Sequence, residues 1–135
     1  MAHTAKNFLS FAPLFNSLLL VATGAGIGPL LSLLSSPAIA HMRKQGRQVR
    51  VMWCVYDPNA VRWRFVQDII RRVDQQPKIF DSRNGRPDVA HEAELMKRRC
   101  YLEAVMVVSN AKLTREVVEA IKGNGGAAYG AVFDS

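Results

Sequence analysis

The seven residues Thr23-Gly24-Ala25-Gly26-Ile27-Gly28-Pro29 are the part of this chain best suited to hold an anion. Glycine lets backbone N–H groups come close to a ligand, and a helix that starts there offers partial positive charge. An apolar run, Ser17–Val21, leads into the turn, and Pro29 opens a helix, where its fixed φ and missing N–H are tolerated. A strand–turn–helix unit of this kind holds a pyrophosphate. The alternative, a small-residue turn in an α/β core with no ligand, stays open, because two glycines are a weak signal by themselves.

Other chemistry finds less support. Cys54 and Cys100 lack CxxC spacing and read as reduced, small apolar residues of an intracellular protein. His3, His41 and His91 show no ligand spacing and read as surface or satisfied side chains, so no metal site is expected. No Ser-His-Asp set, Cys-His set or paired-carboxylate site emerges, which leaves hydrolase chemistry without support.

The elements that must position the glycine turn follow from the hydrophobic pattern. Ser17–Val21 reads as the first strand, followed by helices from Pro29 towards Ser35 and over Ala38–Lys44, the latter stopped by Gly46. Val49–Tyr56, rich in β-branched and aromatic residues, predicts a second strand. Asp57-Pro58-Asn59 is turn chemistry, with Asp57 placed to cap the next helix. In that helix Val61, Phe65, Val66, Ile69, Ile70 and Val73 share one face. Pro77–Phe80 is a short third strand, the polar loop Asp81–Asp88 follows, and a helix lies near Val89–Arg98. Ala104–Val108 is a fourth strand, its continuous apolar run being what a sheet covered on both faces requires. Thr114 is placed to cap a helix to Ile121, and Ala127–Phe133 forms the last strand. Alternation of strand and helix predicts an α/β, three-layer Rossmann-like domain: a parallel five-stranded sheet with helices on both faces. Residues 1–16 form an apolar lead-in, irregular or edge-like over Phe8–Phe15, and residues 17–135 the domain.

In open α/β sheets, ligands sit beyond the carboxyl ends of the strands. The glycine turn, Tyr56-Asp57, Asp81–Arg86 and Ser109-Asn110 all fall there, so the polar loops converge on one rim.

With 135 residues, the chain is long enough for one domain with its own core. Its net charge of +7 favours an anionic partner. The basic residues are scattered, however, and no aromatic-interleaved basic stripe appears, so nucleic acid is not the expected partner. Asn7 to Met42 contains no Asp, Glu, Lys or Arg. A membrane helix needs about 20 uninterrupted apolar residues, and Pro13, Asn16, Gly24, Gly26, Gly28 and Pro29 break this segment. Nor does it suit a secretory signal, being too long and too broken before Ala38-Ile39-Ala40. A buried strand plus a buried helix explains the missing charges better; an anchor over Asn7–Ala40 is the lesser alternative.

On these residues the chain resembles the NAD(P)-binding domain of the ferredoxin–NADP reductase superfamily. The likeness is greatest to its ferric-reductase and NADPH-oxidase-like branch, including the reductase-like C-terminal regions of fungal membrane and adenylate-forming proteins. Thr23–Pro29 matches the family's T-G-x-G-I-x-P loop, with Gly28 in place of Thr or Ala. Ser82-Arg83 stands where the family puts a Ser-Arg pair on the NADP 2′-phosphate, and Gly85-Arg86-Pro87 is similar to the ferric-reductase G-R-P element. Val105 to Val118 follows the V-Y-V-C-G-P-x-x-M-x-x-x-V-V segment, with Val108 at the cysteine and Ser109-Asn110 replacing Gly-Pro.

The resemblance implies a module that binds NADP(H) in preference to NAD(H) and passes hydride to a flavin held by another domain or chain. No Arg-x-Tyr-Ser flavin motif precedes Ser17, so FAD is expected only if supplied from elsewhere, and the chain alone carries half an active site. Thr23, Gly24, Ala25, Gly26 and Ile27 would hold the pyrophosphate, Asp57 the adenosine ribose, and Ser82 and Arg83 the 2′-phosphate. Val108, Ser109 and Asn110 would line the nicotinamide side. Phe133 would cover a nicotinamide or flavin ring, or else serve as an edge-strand core residue. Trp53 and Trp63 are expected in the core or facing the flavin domain. The implied location is the cytoplasm or the cytoplasmic face of a membrane, association with which would come through a parent protein. Two alternatives remain: a nucleotide-binding or interaction domain without catalysis, or a membrane-anchored fragment of a larger reductase.

Overall fold

The computed structural model describes residue 10 and residues 12–133. His3, and Phe8, Leu9 and Phe11 of the lead-in, lie outside the described residues; Ala12–Leu14 is a single 3-10 turn.

Five parallel strands make one sheet in the order β3-β2-β1-β4-β5. They are β1 (Leu18–Thr23), β2 (Val49–Val55), β3 (Lys78–Asp81), β4 (Ala104–Ser109) and β5 (Ala127–Val132). β1 and β4 lie inside the sheet and are buried almost throughout, which is why both read as unbroken apolar runs. The register pairs Leu18 with Val49 on one side and with Ala104 on the other. Period-two alternation then splits the core. Leu18, Leu20, Ala22, Val51, Trp53, Met106 and Val108 face one layer; Leu19, Val21, Met52, Cys54, Val105 and Val107 face the other.

Helices α1 (Ile27–Leu34), α2 (Pro37–Lys44) and α3 (Arg64–Val73) cover the first face. α4 (Val89–Arg99) and α5 (Ala111–Gly123) cover the second and pack on each other. The expected three-layer α/β architecture is therefore present. α1 begins at Ile27, two residues before Pro29; the proline sits in the first turn, where its missing N–H breaks no intrahelical bond. Ser36 caps α2 by accepting the Ile39 N–H, and Asp88 caps α4 by accepting the His91 N–H.

Three local expectations are corrected. Thr114 does not cap α5: the Asn110 side chain does, accepting the Leu113 N–H at 2.8 Å, so the helix starts earlier. Thr114 is instead buried inside the helix, where a Cβ on Gly130 would come within 2.4 Å of its methyl group. Asp57 caps nothing either, because the chain enters α3 through a 3-10 turn over Val61–Trp63 without a side-chain cap. Finally, Val61 and Phe65 do not join the buried face of α3; they are 76% and 68% exposed, and Val66, Ile69 and Ile70 carry the burial.

Among the described residues, the charge-free segment forms the Ala12–Leu14 turn, β1, α1 and most of α2. No single helix among the described residues is long and apolar enough to cross a membrane; the stretch Gly24–Leu34 plus Pro37–Lys44 is bent by 69°.

Candidate ligand site at the β1–β4 switch point

β1 continues through β2 to one edge of the sheet, whereas β4 lies on its other side, so strand order reverses between β1 and β4. Beyond the carboxyl ends of such a pair, a doubly wound sheet leaves a crevice. Here the two strand ends are tied by a short hydrogen bond between the Thr23 and Ser109 hydroxyls. A cavity of about 600 Å³ opens beside them, within the size range of small-ligand sites. Its wall includes Thr23, Gly24, Cys54, Tyr56, Ser82, Arg86, Asn110, Lys112 and Phe133.

The glycine turn forms its corner. Gly24 has φ +53°, a left-handed conformation that costs any L side chain roughly 1–2 kcal/mol. Its carbonyl oxygen accepts the indole N–H of Trp53 at 3.0 Å. Trp53 is wholly buried, and Trp63 packs edge-on against it with ring centroids 5.1 Å apart and planes at 86°. Trp53 is thus a core residue that props the turn, and Trp63 is a half-buried residue packed against it. Gly26 answers a different constraint: a Cβ there would lie 2.5 Å from the Val108 carbonyl oxygen. The turn can lie on β4 only because that position has no side chain.

Cations and dipoles converge on the same space. α5 points its N-terminus at the cavity through Asn110, Lys112 and Leu113, adding the partial positive charge of a 13-residue helix. Arg86 also lines the cavity, as do Lys112 and Glu116, which lie 4.0 Å apart. Burial pushes the Cys54 thiol up from its ordinary value, an effect opposed by the nearby Arg86 charge.

The expected site residues separate into two groups. Thr23, Gly24, Ser82 and Asn110 line the cavity together, with Ser109 bonded to Thr23 behind them. Gly26 and Ile27 are buried, and neither they nor Ala25 form part of the wall. Val108, expected at the nicotinamide side, is fully buried in the first core layer, against the back of the turn, because alternation along β4 turns residue 108 to the face that α1 covers.

Arg83 is not in the wall either. Its Nε lies 3.1 and 3.0 Å from the two Asp81 carboxylate oxygens, and its Nη2 lies 2.6 Å from Asp81 Oδ2 and 3.3 Å from Asp57 Oδ1. The hydrogen bonds from Arg83 hold the Asp81 carboxyl well below its ordinary value, at about 2, and in return raise the guanidinium. Asp57 itself has φ +52°, and its backbone N–H donates to Asp81 Oδ1 at 3.2 Å. The Arg83 guanidinium also lies 5.9 Å from the centre of the exposed Tyr56 ring.

The sequence places Tyr56 and Arg86 on the rim without a ligand role, reads Cys54 as a small apolar residue, and assigns no role to Lys112. Their shared signal was positional: each lies at or just past the carboxyl end of a strand, or in the loop or first helical turn that follows. Phe133 follows β5, lines the cavity at 37% exposure and donates its backbone N–H to the Ser109 carbonyl at 2.8 Å. His41 and His91 are exposed, and no group of three or more metal-ligating side chains occurs among the described residues.

Comparison with known proteins gives the site a context. Residues 8–135 match the family described as the C-terminal domain of adenylate-forming reductase 03009. Adenylate-forming reductases 03009 and 06235 of Coprinopsis cinerea are each 35% identical over 131 residues, covering 94% of this chain. The chain corresponds to only 12% of the length of either relative. Two crystal structures of the C-terminal domain of a hydrogenase from Pyrococcus furiosus share the fold at TM-score 0.59. They are 12% and 11% identical, covering 84% and 85% of this chain and 89% and 90% of theirs.

Proposed function

The chain belongs to the family of adenylate-forming reductase C-terminal domains, and from that premise we propose that it is the NAD(P)H-binding module of a flavin-dependent oxidoreductase. The observation that carries this reading is the cavity at the β1–β4 switch point, cornered by Thr23-Gly24 and faced by the N-terminus of α5. Its volume, its glycine corner and the Arg86 and Lys112 cations fit an elongated, multiply anionic ligand. The loop and spacing resemblance to the ferredoxin–NADP reductase superfamily points the same way, to a pyridine dinucleotide.

In this reading Thr23, Gly24, Ala25, Gly26 and Ile27 supply the cradle for the diphosphate, Gly26 and Ile27 through their backbone. Asp57 meets the adenosine ribose, and Ser82 with Arg83 meets a 2′-phosphate, favouring NADP(H) over NAD(H). Ser109 and Asn110 border the nicotinamide end, where Phe133 shields the ring, and Val108 backs the turn from inside the core. Bound there, the nicotinamide supplies the hydride; the protein's part is to orient it and exclude water. The acceptor flavin is carried by another domain or chain.

A second reading, nucleotide binding without hydride transfer, draws on one observation. Val108 is buried and offers no thiol to the nicotinamide end, where the resembling family has cysteine.

Titration of the purified chain with NADPH and with NADH tests both readings. We expect saturable one-to-one binding well below millimolar concentration, tighter for NADPH. Absence of binding by either dinucleotide below millimolar levels would remove both readings.

A further inference from the structure

Arginine recognises a phosphate best through one whole edge of its planar fork, with two parallel charge-assisted hydrogen bonds. In this protein the Nε–Nη2 edge of Arg83 is already spent on a carboxylate. Asp81 takes it side-on, with contacts of 3.0 Å at Nε and 2.6 Å at Nη2, and Asp57 approaches Nη2 to 3.3 Å. Nη1 is the terminal nitrogen that donates to neither acid. The cluster holds two carboxylates and one guanidinium, so it carries a net negative charge while containing its arginine. Its geometry is fixed from several sides. Asp81 Oδ1 also accepts the backbone N–H groups of Arg83 and Asp57, and Asp81 ends β3 in register with Val55 of β2.

We propose that Asp81 is a specificity-determining residue that competes for Arg83, so that a 2′-phosphate gains the paired Nε–Nη2 edge of the arginine only by displacing a carboxylate. The proposal rests on the dinucleotide reading of the neighbouring cavity and adds to it the group that sets the choice between phosphorylated and unphosphorylated ribose. The acids disfavour a phosphate by repulsion and by occupying its donor edge; an uncharged ribose hydroxyl meets neither penalty. Arg83 is therefore a cation held in reserve, and the wild-type preference for NADPH is smaller than a free arginine would give.

The test is an equilibrium titration of wild type, Asp81→Asn, and the double variant Asp81→Asn/Arg83→Ala with NADPH and with NADH. Asparagine keeps an oxygen for the two backbone N–H groups, so the loop retains its acceptor while the competing charge is lost. The NADPH-to-NADH affinity ratio should rise about tenfold in Asp81→Asn, the gain expected from freeing one charge-assisted pair. Adding Arg83→Ala should abolish the gain. An unmoved ratio, or a gain that survives loss of Arg83, would overturn the proposal while leaving dinucleotide binding intact. Failure of every protein to bind either dinucleotide would instead overturn the dinucleotide reading, and this proposal with it. Should Asp81→Asn fail to fold by circular dichroism, Asp57→Asn carries the same test. Asparagine tolerates the left-handed backbone at residue 57, and the ratio must again rise, by a smaller factor.

Discussion

At the scale of single residues, the corner of the cavity depends on two glycines for different reasons. Gly24 has open space around it but a left-handed backbone, so Gly24→Ala should cost about 1–2 kcal/mol in urea unfolding and weaken dinucleotide binding. Gly26 has an ordinary backbone but no room, because the obstructing atom is a carbonyl oxygen of β4. Gly26→Ala must therefore push the turn off the sheet and should be the more damaging of the two by the same measurement. Asp81 makes a prediction in pH. Its folded value of about 2 lies below the ordinary carboxylate value near 4. The ion pair thus contributes stability above pH 4, and this is lost as pH falls through about 2. Thermal melts of Asp81→Asn should converge with those of wild type across that window; a constant gap down to pH 2 would show that the charge contributes nothing. The pairing of Arg83 was only half visible in the sequence. Asp81 stands two residues away, but Asp57 reaches the cluster only through the β2–β3 register.

At the scale of elements, the strands were legible because a parallel sheet covered on both faces demands unbroken apolar runs, and β1 and β4 have them. Helix starts were less legible. Asn110 and Thr114 both have capping side chains at credible positions, and the Leu113 N–H donated to Asn110, with Thr114 buried against Gly130, decides between them. Asn110→Ala should accordingly cost about 1 kcal/mol of unfolding free energy. Thr114→Ala removes no cap, and its hydroxyl has no hydrogen-bond partner among the described residues to lose. The exposed side of α3 has a geometric cause. Val61 belongs to a 3-10 turn, whose three-residue period is out of phase with the helix that follows. Phe65 lies about a quarter turn from the centre of the stripe formed by Val66, Ile69, Ile70 and Val73, at 100° per residue. The change of helix type thus separates Val61 from the stripe, and the angle around the helix separates Phe65. The resemblance gave Val108 its position in the segment, but alternation decides which layer a strand residue faces, and its side chain lies in the first core layer.

At the scale of the whole molecule, the chain spans 12% of the length of its curated relatives, and its described residues form a cavity at the switch point of the sheet. The proposed division of labour has a kinetic consequence. NADPH mixed with this chain and free flavin should be oxidised no faster than NADPH with free flavin alone, because hydride transfer needs an acceptor ring held against the nicotinamide. Rapid flavin-dependent oxidation by these 135 residues would mean that they hold the ring themselves. The central claim is tested most directly by following backbone amide resonances of the ¹⁵N-labelled chain during addition of NADPH. The account predicts that the largest shifts cluster at Gly24, Ala25 and Gly26, with Ser82 and Asn110 moving at the same ligand concentration. Shifts confined to residues away from the β1–β4 rim, or none at saturating NADPH, would contradict it.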